Sequence, residues 1–144
     1  METPERPPAR NNKTFICPII TVWIFFLLSL INLNSFFSQN PKYFTIIEYI
    51  YPLSTLLLLI MGIYITLGLV KRQYKLYNIG FIITIIYTII QISSRLLLIM
   101  ENRNRSHLFT NIIFLFIDFI PFIVVVSYRK KFKKITKTLK LLEI

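Results

Sequence analysis

Four long apolar runs separated by short polar segments set the pattern of this 144-residue chain. They occupy about residues 15–37, 43–70, 76–100 and 107–128. Each is long enough to cross a hydrocarbon layer of roughly 30 Å as an α-helix. Strands are disfavoured, because the runs are too long and an open sheet edge leaves backbone groups unsatisfied in lipid. The pattern predicts an all-α membrane protein with four transmembrane helices.

The breaks between the runs are short. Residues 38–42 contain Asn40-Pro41, residues 71–75 are mostly basic, and residues 101–106 form a second polar turn. Proline stops a helix and asparagine suits a turn, and such brief links force antiparallel neighbours, giving an up-down-up-down bundle. The second run is long enough to imply tilt or a kink at Pro52, and the fourth is interrupted by Asp118 and Pro121. Residues 1–13, with Pro4, Pro7 and Pro8, read as a disordered lead before a transmembrane domain at 14–128 and a basic tail at 129–144. A cleaved secretory signal is the rival reading of the first run, which is long for an h-region and is not followed by a small-residue cleavage site.

Charge gives these runs a direction. The chain holds 17 Lys and Arg against 6 Asp and Glu, and its mean hydropathy is +0.63. With both termini on the cytoplasmic side, thirteen cations lie inside: Arg6, Arg10, Lys13, Lys71, Arg72, Lys75 and the seven from Arg129 onward. Only Lys42, Arg103 and Arg105 lie outside, so the positive-inside rule favours N-in, C-in. Asn12 and Asn104 head glycosylation sequons; Asn12 is expected to stay bare, and sugar there would overturn the topology. The cations flank apolar runs, which points to anionic lipid rather than nucleic acid.

Polar residues inside the runs are the candidates for function. Thr84, Tyr87, Thr88, Gln91, Ser94 and Arg95 recur at spacings of three and four, on one face of the third helix. A central arginine costs about 2.5–3.5 kcal/mol on insertion scales, so Arg95 requires a partner or a path to water. Counting residues places Arg95, Glu48, Asn32 and Gln91 at one outer depth, with Asp118 deeper, and these five form a predicted intramembrane polar seam. One reading is a small cavity that binds a polar headgroup, ion or amine. The other is a set of hydrogen bonds that knit the bundle, with arginine snorkelling to the interface. Trp23 is too deep for an interfacial aromatic belt.

In the tail, Phe132, Ile135, Leu139 and Leu142 alternate with Lys130, Lys131, Lys133, Lys134, Lys137 and Lys140 in the manner of an interfacial amphipathic helix. It serves either as a topology anchor that continues the fourth helix or as a contact for anionic lipid, which phosphorylation of Thr136 or Thr138 would weaken. Cys17, at the mouth of the first helix, is a site for palmitoylation or simply a small apolar residue. A lone cysteine and the single His107 supply neither an intrachain disulfide nor a metal site. No catalytic motif is present, and no cofactor is expected.

Gly68, Lys71-Arg72, Lys75-Leu76 and Gly80, with Val126-Ser127-Tyr128 before the lysines, resemble small arthropod four-span proteins related to the lysosome-associated protein transmembrane family. The resemblance implies a non-enzymatic tetraspan of the plasma membrane or endolysosomal system. The Pro-Pro-x-Tyr motif of the lysosomal members is missing. The expected role is that of a scaffold or accessory subunit contacting membrane lipids and other membrane proteins or itself, the alternative being a small oligomeric transporter or channel component that uses the seam.

Overall fold

The computed structural model describes residues 13–37, 46–101 and 105–142. Residues 1–12 of the N-terminal lead, the first turn and the asparagines of both sequons lie outside these residues, while Lys13 opens α1. Five helices account for nearly all of the described chain: α1 (Lys13–Phe37), α2 (Ile46–Val70), α3 (Tyr74–Glu101), α4 (Arg105–Asp118) and α5 (Ile120–Leu142).

Local chemistry sets the two best-defined breaks. At the end of α2, Gln73 N–H donates to Gly68 C=O at 2.9 Å and Arg72 N–H to Leu69 C=O at 3.4 Å, the paired bonds of a Schellman cap. The cap requires a left-handed residue, and Arg72 fills that position with φ 55° where glycine is usual. Gly68 lets the two helices meet at once, since a Cβ there would lie 2.5 Å from Tyr77 N and 2.8 Å from Tyr77 Cα. Within the fourth apolar run, Pro121 has no N–H to offer Ile117, and its ring crowds that carbonyl. Phe119 N–H bonds Phe116 C=O at 3.2 Å in a tightened turn, and Ile123 N–H then bonds Phe119 C=O at 3.0 Å as α5 gets under way. Past this break α5 is continuous through Tyr128 to Leu142, so the helix itself has no boundary where the tail was expected to begin.

The helices form one bundle. α2 packs on both α1 and α3, α3 packs further on α4 and α5, and α1 also packs on α5. Val22, Leu58, Met61, Ile65, Tyr77 and Val125 fill the centre. α2 is the most enclosed span, with 44% of its apolar window buried against 11% for α1.

Outside the core the usual order of a water-soluble protein is inverted. Ile20, Ile24, Leu27 and Ile31 of α1 and Ile82, Ile86 and Ile89 of α3 are exposed, while Thr84, Thr88, Gln91 and Ser94 are buried. Such a surface is stable against hydrocarbon and costly against water. Four stretches, in α1, α2, α3 and the α4–α5 run, have the length and apolarity to cross a membrane. These features fit an integral multi-pass membrane protein.

Candidate functional site

The buried face of α3 carries the polar stripe. Thr84, Tyr87, Thr88, Gln91 and Ser94 are each at most 9% exposed. Most of their hydroxyls bond within the helix: Thr84 to Gly80 C=O at 2.8 Å, Thr88 to Thr84 C=O at 2.8 Å and Ser94 to Gln91 C=O at 2.9 Å. Threonine and serine can satisfy themselves in this way without a neighbouring helix. Tyr87 lies near Gln91, Asp118 and Arg95 on the same side of α3.

Arg95 and Asp118 form an ion pair, with Nε donating to Oδ2 at 3.1 Å and the two side chains only 15% and 12% exposed. The Arg95 guanidinium also sits 4.9 Å from the ring centre of Phe114, one turn before Asp118. By residue count, Asp118 lies much farther from the α3–α4 turn than Arg95 does, an axial offset of roughly 10 Å at about 1.5 Å per residue. Helical side chains lean towards their own N-terminus, so on two antiparallel helices these two lean towards each other. Arg95 therefore reaches towards the middle of the bundle instead of snorkelling to its nearer end.

Of the other predicted seam residues, Gln91 shares the buried face with Arg95. Asn32 is exposed on α1, which packs on α2 and α5, and it does not join the pair. The side chain of Glu48 lies outside the description. Alignment by depth alone grouped Asn32 with Arg95 because it ignored which way each helix is rotated.

Bonds between helices come largely from residues the sequence reading did not select. Trp23 Nε1 donates to Thr66 Oγ1 at 3.0 Å, and Ser29 and Thr55 share a 2.6 Å hydroxyl contact, both between α1 and α2. Tyr77 OH donates to Val125 C=O at 2.7 Å, and Arg129 Nη2 donates to Asn78 Oδ1 at 3.0 Å, both between α3 and α5. The depth of Trp23 was the available signal, because a buried indole N–H needs an acceptor. The buried Ser54 hydroxyl has no hydrogen-bond partner among the described residues.

The tail residues divide. Phe132, expected on a lipid-facing stripe, is 1% exposed. Its ring packs 5.2 Å from that of Tyr77 and 6.3 Å from that of Tyr74. At Phe132 α5 is therefore still part of the bundle. Lys133, Lys137 and Lys140 line a cleft of about 650 Å³ together with Arg72, Gln73, Tyr74, Lys75 and Thr136. Lys130, Lys131 and Lys134 are exposed away from that lining, and Lys131 Nζ lies 5.5 Å from the Tyr128 ring centre. Cys17 is exposed on α1, close to Tyr128 of α5.

Among the described residues, no three His, Cys, Asp or Glu side chains come together as a metal site. The chemistry on hand is thus a neutralised pair inside the bundle and a concentration of positive charge at one end. No family model, curated protein or solved structure matches the chain.

Proposed function

We propose that this protein is a non-enzymatic scaffold or accessory subunit of a membrane, working through helix contacts in the bilayer and lipid contacts at its basic end. The carrying observation is the closure of the Arg95–Asp118 pair, which joins two opposite intramembrane charges among the described residues. A pair closed on itself in this way supports specific helix assembly. The exposed apolar face of α1 supplies surface for lipid or a partner helix.

Both termini are assigned to the cytoplasmic side. In support, the cations of residues 72–75 and of α5 converge on one cleft, so two separate basic segments share an end of the bundle, as positive-inside sorting requires. The resemblance of two short sequence patches to lysosome-associated four-span proteins supports this role and, with it, a location in the plasma membrane or in endomembranes.

A transporter or channel component is the second reading. It is favoured by the unpartnered Ser54 hydroxyl on the buried face of α2, a polar group that a water or small ligand would satisfy. Native-detergent mass measurement separates the two. The accessory role expects the chain to co-purify with a distinct membrane protein in a defined ratio. A homodimer stabilised by an added ion or amine, with no other subunit, would replace that role with transport.

A further inference from the structure

The cleft at the basic end joins residues about sixty positions apart in the chain. On one wall stand Lys133, Thr136, Lys137 and Lys140, at i, i+3, i+4 and i+7 on a single face of α5. The other wall is the α2–α3 turn with the first turn of α3, which contribute Arg72 and Lys75. Packing of Phe132 against Tyr74 and Tyr77 holds the walls in place. Five cations thus line a space of about 650 Å³, within the roughly 300–1,000 Å³ typical of small-ligand sites, and no acidic residue lines it among the described residues.

A second observation comes from the backbone. Arg72 holds the left-handed cap position, φ 55°, where glycine would close the same turn without strain. A non-glycine residue in that conformation points to a use for its side chain. The use at hand is a guanidinium on the cleft wall, which can grip two phosphate oxygens at once.

We propose that this cleft binds a headgroup bearing two or more phosphates, carried by a lipid of the leaflet at that end, with Arg72, Lys75, Lys133, Lys137 and Lys140 as its ligands. Several convergent cations match several phosphates, whereas a single carboxylate or phosphodiester would leave most of them mutually repelling. The lysine face of α5 begins just beyond its apolar stretch, the level at which a lipid headgroup lies. This inference rests on the lipid-contact part of the proposed function and narrows it from a diffuse basic tail to a formed site.

The test uses the full chain in detergent, titrated with dioctanoyl phosphatidylinositol bisphosphate, dioctanoyl phosphatidylserine and soluble inositol trisphosphate. Two double variants remove equal charge: Arg72→Gln with Lys137→Gln in the cleft, and Lys130→Gln with Lys134→Gln outside it. A formed site predicts bisphosphate binding at least about tenfold tighter than phosphatidylserine, a loss of about tenfold or more in the cleft variant, and under about threefold in the control. Arg72→Gly guards against misfolding, since it should fold at least as stably as the parent and still bind several-fold more weakly. Lipid bisphosphate binding tighter than soluble inositol trisphosphate, with the same variant pattern, assigns the site to the leaflet; soluble inositol trisphosphate binding tighter than the lipid would overturn the lipid source while keeping the phosphate site. Equal losses in both double variants would overturn the cleft while leaving the basic-tail reading intact. Indifference to both would overturn the two together.

Discussion

Replacing Arg95 by leucine leaves the Asp118 carboxylate alone between α3 and α4, and replacing Asp118 by leucine leaves the guanidinium alone. The pair is one hydrogen bond of 3.1 Å between side chains that are 15% and 12% exposed. At an effective dielectric of about 20, charges about 4 Å apart attract by roughly 4 kcal/mol. Desolvation cancels much of this in the intact protein, but a single deletion leaves the other charge with its desolvation uncompensated and costs about 3–5 kcal/mol. Asp118→Leu should be the worse of the two, since a lone carboxylate can be neutralised by a proton whereas arginine stays charged. The double variant, apolar on both helices, should recover most of the loss. A double-mutant cycle by SDS-induced unfolding in maltoside micelles, followed by far-UV circular dichroism, measures the coupling. A value of about 2 kcal/mol or more is expected, above the ~0.6 kcal/mol average for hydrogen bonds between membrane helices. Coupling at or below that average, or a double variant as unstable as the sum of the singles, would refute the claim that the pair closes the interior.

Two further substitutions probe how the bundle holds its basic end. Gly68→Ala puts a Cβ onto the backbone of Tyr77, which cannot yield as a side chain can, so a loss of about 1–3 kcal/mol is expected in the same unfolding assay. Gly62→Ala meets only Val22 and Trp23 side-chain atoms at 3.4–3.5 Å, and should be neutral or stabilising by up to about 1 kcal/mol. Phe132→Ala empties the contact with Tyr74 and Tyr77, costing about 3–5 kcal/mol if it is felt globally. Hydrogen exchange should then accelerate in α5 beyond Arg129, whereas unchanged protection there would show that the contact does not hold the helix.

Much of the architecture is legible in the chain because it depends on one helix at a time. The length of an apolar run is matched to a hydrocarbon layer, and in that layer the backbone must satisfy itself, so four such runs read as four spans. The stripe from Thr84 to Arg95 follows from 3.6-residue periodicity, and a polar stripe in lipid turns inward whatever it meets there. Pro121 marks the break in the fourth run because the missing N–H is local chemistry.

What the tertiary structure alone decided involves the rotation and lean of one helix against another. Arg95 meets Asp118, about 10 Å away along the axis by residue count, because the side chains of antiparallel helices lean towards each other, a geometry invisible to depth counting. Asn32, at a matching depth, faces outwards. Phe132 fits a lipid-facing stripe by spacing, but the rings of Tyr74 and Tyr77 enclose it, and no periodicity in the tail reports what the start of α3 offers. Six tail lysines look equivalent in the sequence. Only packing sets Lys133, Lys137 and Lys140 opposite Arg72 and Lys75, because a cleft belongs to two segments and each alone carries only part of its charge pattern.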